Sequence, residues 1–264
     1  MSIRILTIGD IVGRPGRTII KDKLAQFVEQ RGVDFVVANG ENSASGSGIV
    51  PAQVTELTDS GVDVITTGDH IWKRAQILPH MNSGLPLLRP ANYPPEARGN
   101  GYGVFVSRGG VEIGVINLVG RVFMMNPADC PYRVADAVVA ELAARTPLII
   151  VDMHAEATSE KVAMGWHLDG RVTAVVGTHT HIPTADERVL PRGTAYITDL
   201  GMTGPYESVL GRQVKRVLYK FTTGMFAHFD VASGDVRLCG ALIEADAETG
   251  KAVSIERVCI RADQ

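Results

Sequence analysis

Two histidines separated by a single residue follow an apolar run in the segment "VVGTHTHIPTAD", residues 175–186. The apolar run ends at Gly177, and His179 and His181 come directly afterwards. Neutral imidazole is the commonest protein ligand for zinc, iron and manganese. Because the chain has only seven histidines, the pair indicates a metal site, although one such pair also arises by chance.

Four other apolar segments end in side chains that can also bind a metal. They deliver, in chain order, Asp10, Glu41 with Asn42, Asp69 with His70, and His154. Each residue has an ordinary alternative explanation: Asp10 as a helix cap, Asn42 as a turn residue, His154 as a buried, hydrogen-bonded histidine. Five strand ends with the same kind of residue favour one shared metal site over five separate accidents.

The apolar segments before these residues are continuous rather than alternating, which is typical of strands buried on both faces. We predict strands over residues 3–9, 34–40, 62–68, 147–154 and 171–177, with helices over 15–32, 51–61 and 159–170. The carboxyl ends of parallel strands meet at one edge of an α/β sheet, where binding sites form. We therefore expect the candidate ligands to meet at this edge.

The remaining segments predict antiparallel structure. Residues 102–120 read as a hairpin that turns at Gly109-Gly110, and residues 216–230, 235–246 and 252–263 read as C-terminal strands. Turns at Ser233-Gly234 and Thr249-Gly250 would join these last strands. No repeat or linker divides the chain, so we predict one domain over residues 1–264.

Composition excludes several classes of protein. The 264 residues are 45% hydrophobic and 21% charged, as in an ordinary soluble α/β protein, and the net charge is −3. The absence of a basic patch argues against strong nucleic-acid binding. We expect no membrane span, no signal peptide and a cytoplasmic location. Three cysteines without a C-x-x-C pair also fit a reducing cytoplasm. A homo-oligomer is compatible with the sequence.

The candidate ligands are too many for one tetrahedral zinc ion. Three carboxylates, one amide and three imidazoles suit two ions ~3.5–4 Å apart that share a carboxylate. Such a pair holds a phosphate across both ions and places a hydroxide between them for attack on phosphorus. Since no cysteine is among the ligands, iron, manganese and zinc all fit this set.

Taken in order, the segments "GD", "NGEN", "GDH", "H" and "GTHTH" resemble the motifs of the calcineurin-like metallophosphoesterase superfamily. Those motifs normally run D-x-H, G-D-x-x-D, G-N-H-[ED], H and G-H-x-H. This chain lacks the first histidine, has Glu41 in place of the bridging aspartate, and has Asp69 in place of asparagine. These departures, together with "GDIVGRPGR", "DMHAEATSEKVAMGWHLDGRV" and "GTAYITDLGMTGPYESVLG", are similar to the YmdB-like bacterial phosphodiesterases.

The resemblance implies an α/β fold of the four-layer αββα sandwich type, with mixed sheets. It implies a di-metal centre, most often of iron (Fe2+/Fe3+) and alternatively of Mn2+ or Zn2+. It also implies hydrolysis of phosphodiesters by a metal-bridging hydroxide, with 2',3'- or 3',5'-cyclic nucleoside monophosphates as substrates. A metal-dependent phosphomonoesterase uses the same metal clamp, and a low-turnover regulatory or RNA-associated protein, suggested by Asp69, is the other alternative.

The resemblance further implies a role for each motif residue. The first ion would be held by Asp10, Asn42 and His181, the second by Asp69, His154 and His179, and Glu41 would bridge both. His70 would donate a proton to the leaving group as the catalytic acid. Its alternative is a histidine that is hydrogen-bonded to a backbone carbonyl.

Three other segments could lie around such a site. The Gly/Ser-rich loop "GENSASGSGIVP" is expected either to be mobile and close over substrate or to be a plain connector. Arg121 could grip a phosphate and Phe123 could stack on a base, or both could belong to an interface or the core. The segment "MTGPYESVLG" could fold back over the site.

Overall fold

The computed structural model describes residues 2–125 and 127–263, and its centre consists of two six-stranded sheets. The strand order in the first sheet is β10 (Gly204–Pro205), β11 (Val236–Asp246), β1 (Ser2–Ile8), β2 (Phe35–Asn39) and β3 (Val64–Thr66), with β12 (Ala252–Arg261) paired to β11. β1, β2 and β3 are parallel, and β11 is antiparallel to β1.

The second sheet is also mixed. Its order is β4 (Tyr102–Val106), β5 (Glu112–Val119), β6 (Ile149–His154), β7 (Ala174–Thr178), β9 (Ala195–Ile197) and β8 (Arg188–Val189). The strands from β5 to β9 along this order are parallel, and β4 and β8 close the edges as antiparallel strands. The carboxyl ends of the central strands in each sheet thus lie at a common edge of that sheet.

Four of the helices pack on the outer faces of the sheets. The elements are α1 (Gly13–Arg31), α2 (Pro51–Asp59), α3 (Pro131–Ala143), α4 (Thr158–Leu168), α5 (Val214–Thr223) and a 3-10 helix at Ala75–His80. α1 and α2 share a hydrophobic cluster with the first sheet, and α3 and α4 share another with the second. Among the described residues, no helix is both long enough and apolar enough to cross a membrane.

A third hydrophobic cluster lies between the two sheets, so strands bury both of their faces. On β1, Ile5 points into the cluster between the sheets and Leu6 points toward α1 and α2. On β5, Val115 faces the first sheet and Ile116 faces the helices. This double burial explains the continuous apolar runs in the sequence, and the four layers confirm the predicted αββα sandwich.

One predicted strand is wrong. Residues 216–230 do not form a C-terminal strand, because α5 occupies Val214–Thr223 and an irregular segment follows it. The aromatic and β-branched residues of this segment favour a strand by propensity alone. Gly224, with a φ of 70°, instead ends a helix in the left-handed conformation, and its N–H bonds to the carbonyl of Lys220. The other two predicted C-terminal strands are present as β11 and β12.

Candidate metal centre

The predicted ligands meet where the carboxyl ends of the two sheets face each other. The first sheet supplies the oxygen-bearing side chains, which follow β1, β2 and β3: Asp10, Glu41, Asn42 and Asp69. The second sheet supplies the imidazoles, at or after the ends of β6 and β7: His154, His179 and His181. The structure therefore brings together residues that are up to 171 positions apart in the chain.

Four of these side chains form the tightest group. Glu41, Asp69, His154 and His179 each offer one ligand atom, and these atoms all lie within 4.8 Å of one another. His154 Nε2 is 3.3 Å from an oxygen of Glu41 and 3.3 Å from Asp69 Oδ1, and His179 Nδ1 is 3.4 Å from the same Asp69 oxygen. Atoms ~2.1 Å from one tetrahedral ion are themselves ~3.4 Å apart, so this group fits an ion.

Asp10, Asn42 and His181 form a second group beside the first. His181 Nε2 lies 3.8 Å from Asp10 Oδ1 and 3.2 Å from Asn42 Nδ2. Asp10 Oδ1 is buried and has no hydrogen-bond partner among the described residues. A buried carboxylate oxygen without a partner is costly, and a cation would satisfy it. Asn42 presents Nδ2 here, so ligation through Oδ1 requires its amide to turn by half a rotation.

Hydrogen bonds on the far side of His154 fix its tautomer. Thr178 Oγ1 donates to Asp152 Oδ1 at 2.7 Å and is 2.8 Å from His154 Nδ1. The hydroxyl hydrogen is used toward Asp152, so the hydroxyl accepts from His154 Nδ1–H and leaves the Nε2 lone pair facing the centre. Burial raises the pKa of Asp152 to about 6. Asn39 and Thr66 also donate to Asp152, at 3.1 and 2.5 Å.

The other two imidazoles are held in the same way. His179 Nε2 is 3.2 Å from Glu156 Oε2, and His181 Nδ1 is 3.2 Å from the carbonyl of Leu210. In each contact the ring N–H donates to the oxygen, so the lone pair of the other ring nitrogen points at the centre. His154 Nε2 and His179 Nδ1 are then only 3.0 Å apart. Two lone pairs at this distance repel each other unless a proton or a metal ion lies between them.

The electrostatics of the cluster favour positive charge. Burial alone would lower the pKa of His154, but the carboxylates of Glu41, Asp69 and Asp10 raise it well above its usual value. Burial would raise the pKa of Glu41 and of Asp69, but the neighbouring histidines lower both. A metal ion would supply the same positive charge in place of the proton on His154, which supports the fit of this donor set to metal.

The backbone is strained at two of the histidines. His179 has a φ of 97° and His181 a φ of 66°, in the left-handed region that non-glycine residues rarely adopt. Such strain persists only where the surrounding structure enforces it, and it concentrates at functional sites. The turn after β7 therefore carries a conformational cost in exchange for directing both imidazoles toward the carboxylates.

His70 lies at the open side of the cluster. Its Nδ1 is 2.9 Å from Asn42 Oδ1, its backbone N–H donates to Glu41 Oε2 at 3.2 Å, and its Nε2 is 3.6 Å from Asp69 Oδ2. Its side chain is 30% exposed, whereas that of His154 is fully buried. These contacts place the partly exposed His70 beside the predicted metal ligands, and its acid role stays a prediction.

Two segments around the cluster, the Gly/Ser-rich loop and "MTGPYESVLG", were each expected to cover the site in one of their alternatives. The Gly/Ser-rich loop is largely buried. Arginine side chains bond to its carbonyls: Arg17 to Ser43, Arg74 to Ala44 and Ser47, and Arg212 to Ser45 and Gly46. This anchoring favours a fixed connector over a mobile lid. The segment "MTGPYESVLG" does fold back, because Leu210 contacts His181.

Arg121 and Phe123 lie on the loop after β5, which begins beside the cluster because Gly120 N–H bonds to the carbonyl of His154. The exposed Arg121 lines a surface cleft with Tyr132 and Glu160, outside the group of ligands described above. Phe123 is 83% exposed. Their positions leave both available to a substrate, and their predicted roles stay predictions.

Four residues with a part in the site were not singled out from the sequence: Asp152, Glu156, Thr178 and Leu210. Asp152 and Glu156 lie two residues on either side of His154 in "VDMHAE", and this flanking by carboxylates was a usable signal. Leu210 acts through its carbonyl, which no side-chain pattern reveals.

Two mixed sheets packed face to face, with carboxylates from one and imidazoles from the other at their common edge, define a metallophosphoesterase-type protein. The chain belongs to the YmdB-like protein family, whose model matches residues 6–258. This match confirms the family resemblance seen in the motifs.

Relatives match over almost the whole chain. It is 47% identical over 261 residues to the 2',3'-cyclic-nucleotide 2'-phosphodiesterase of Bacillus subtilis (strain 168), across 99% of this chain and 98% of that one. The crystal structure of a novel phosphatase from Mycoplasma pneumoniae is 36% identical, with a TM-score of 0.92 over 99% of this chain and 94% of that one. The crystal structure of a hypothetical protein from Thermus thermophilus is 38% identical, with a TM-score of 0.90 over 98% and 99%.

Proposed function

We propose that this protein is a metal-dependent phosphodiesterase that hydrolyses 2',3'-cyclic nucleotides. The observation that carries the proposal is the convergence of Glu41, Asp69, His154 and His179, whose ligand atoms lie within 4.8 Å of one another. The 47% identity to a 2',3'-cyclic-nucleotide 2'-phosphodiesterase over nearly the whole chain supports the substrate class.

We propose that the chain holds two ions. Asp10, Asn42 and His181 would bind one, Asp69, His154 and His179 the other, and Glu41 would bridge them. When bound, the ions would neutralise phosphate charge and lower the pKa of the attacking water. All the donors are oxygen and nitrogen, which suits iron, manganese and zinc alike; iron remains our preferred prediction.

His70 would protonate the leaving ribose oxygen. Asn42 would orient the His70 ring through the 2.9 Å contact between Asn42 Oδ1 and His70 Nδ1. His70 would transfer the proton to the leaving oxygen from its imidazolium form and become a neutral imidazole.

The proposal is tested with protein purified without chelator. We expect about two equivalents of metal, hydrolysis of 2',3'-cyclic AMP, loss of activity after chelation, and recovery with Fe2+ or Mn2+. A phosphate monoester is assayed in parallel, because the Mycoplasma pneumoniae structure is described as a phosphatase. Faster hydrolysis of the monoester would favour a phosphomonoesterase. Binding of the cyclic nucleotide without turnover would favour the low-turnover binding protein.

Asp69→Asn is expected to weaken Mn2+ binding and, at saturating Mn2+, to lower KM for the anionic diester. The exchange keeps a ligand oxygen but removes a negative charge from a cluster with three carboxylates. For the diester phosphate, a unit charge at ~6 Å and an effective dielectric of ~40 contributes ~1.4 kcal/mol, so KM should fall roughly tenfold. The loss of Mn2+ affinity should be larger, because the ion is divalent and would lie closer to the Asp69 side chain than the phosphate does.

Mn2+ affinity is measured by calorimetry and KM from initial rates with every variant fully loaded. Asp59→Asn makes the same change of charge at an exposed position on α2 and should leave both quantities unchanged. Wild-type values for both in Asp69→Asn would show that this carboxylate does not act as a charged ligand next to substrate.

A further inference from the structure

We propose that a buried ion pair, Lys161–Asp199, grips Thr180 and thereby positions His179 and His181, one ligand for each ion. This inference rests on the proposed metal centre and assigns a task to residues outside it. Lys161 and Asp199 would act as positioning residues, because neither is among the seven ligands.

The contacts of Asp199 converge on the strained turn. Its Oδ2 accepts from Thr180 Oγ1 at 2.7 Å, from Thr180 N–H at 3.2 Å and from Lys161 Nζ at 2.6 Å. Its Oδ1 accepts from Gly201 N–H at 2.8 Å. One carboxylate thus binds both the backbone and the side chain of the residue between the two histidines.

The ion pair lies entirely in the protein interior. The Lys161 and Asp199 side chains are 0% and 1% exposed, and a buried charge is tolerated only when it is paired and hydrogen-bonded. Lys161 reaches Asp199 from α4 by passing beside Gly177, where an added Cβ would lie 2.8 Å from Lys161 Cδ and 1.7 Å from the carbonyl oxygen of Thr198. Because Gly177 has no side chain, the Lys161 side chain can pass beside the end of β7.

The segment that carries Asp199 also follows the turn. Leu200 N–H bonds to the carbonyl of Gly177 at 2.9 Å, and Met202 N–H bonds to the carbonyl of His181 at 3.1 Å. Thr203 N–H then reaches the carbonyl of Asp10 at 2.8 Å. Residues 199–203 therefore connect the turn of the second sheet with the first ligand of the first sheet.

The two histidines need this support because of their backbone. Both have left-handed φ values, and Thr180 lies between them. A turn released from Asp199 would relax toward ordinary backbone angles and move both imidazoles together. We call the contacts of Asp199 with Lys161 and Thr180 the clamp. Loss of the clamp should weaken the binding of both ions, whereas loss of one ligand should weaken mainly the binding of its own ion.

The test compares Thr180→Val, which keeps the shape and removes the hydroxyl, with Thr180→Ser, which keeps the hydroxyl. Thr146→Val is the matched control, because it removes a buried hydroxyl bonded at 2.7 Å to the carbonyl of Glu112, at the amino end of β6. Mn2+ affinity at both sites is measured by titration calorimetry on metal-free protein. Urea unfolding of the metal-free variants measures structural damage separately.

We expect Thr180→Val to weaken Mn2+ binding at both sites by roughly 10- to 100-fold, the usual effect of losing a group that orients metal ligands. Thr180→Ser and Thr146→Val should stay within about threefold of wild type. Metal-free Thr180→Val should be no less stable than Thr146→Val. Wild-type affinity in Thr180→Val, or a loss at one site only, would overturn the clamp alone. Wild-type protein that binds fewer than two ions would overturn the metal centre and the clamp together.

Discussion

Glu41→Gln is expected to abolish hydrolysis of 2',3'-cyclic AMP and to release at least one of the two ions. Glu41 is 1% exposed, and its two oxygens face different neighbours: Oε1 lies 3.3 Å from His154 Nε2, and Oε2 accepts from His70 N–H at 3.2 Å. Burial would raise the pKa of Glu41, but His154 and His70 lower it below its usual value. A carboxylate can give one oxygen to each ion, whereas an amide has one oxygen and no charge.

Metal content by elemental analysis and turnover of the cyclic nucleotide check this result. Glu141→Gln is the control, because Glu141 is an exposed residue of α3 whose carboxylate accepts a hydrogen bond from the Tyr102 hydroxyl at 2.8 Å. It should keep two ions and full activity. A Glu41→Gln protein that kept both ions and wild-type turnover would remove Glu41 from the bridging position.

His70→Ala is expected to lower turnover of 2',3'-cyclic AMP by ~10²–10⁴-fold, the usual contribution of a general acid, and to leave metal content intact. The ribose oxygen needs a proton to leave, but nitrophenolate leaves without one. The loss should therefore be much smaller with bis-para-nitrophenyl phosphate than with the cyclic nucleotide.

The ratio of the two losses is the informative quantity, because it separates proton donation from a general disturbance of the site. His228→Ala, at a side chain that is 79% exposed, is the control and should change neither rate. Equal losses on both substrates would contradict proton donation by His70 and would point to a role in binding the phosphate.

The strands and the candidate ligands could be predicted because each depends on a short continuous segment of the sequence. The strands that carry the site are continuous apolar runs because both faces are buried. Each of these strands overlaps its predicted segment, and β1 and β7 extend one residue beyond it, to Ser2 and Thr178. The ligands could be found because each follows such a run directly, as Asp10 follows β1 and His179 follows β7. Their common edge follows from parallel pairing.

The rest depends on contacts between distant residues. Lys161 and Asp199 are 38 positions apart, and an isolated lysine on a helix ordinarily indicates a solvated surface. The bond from His181 to Leu210 uses a backbone carbonyl, which is the same in every residue. α5 was misread because the propensities of "RVLYKFTT" favour a strand, while the glycine that ends the helix acts only through its left-handed conformation.

The division of donors between the sheets has a consequence for folding. One sheet would contribute only oxygen ligands and the other only nitrogen ligands, so neither half has a complete coordination set before the sheets dock. Ion capture would then be restricted to the assembled native state and would act as a reversible cross-link between the halves. By linkage, a free-ion concentration 100 times the Kd would add ~2.7 kcal/mol to the free energy of unfolding. Metal supply would thus control the fraction of the chain that is folded as well as whether it is active.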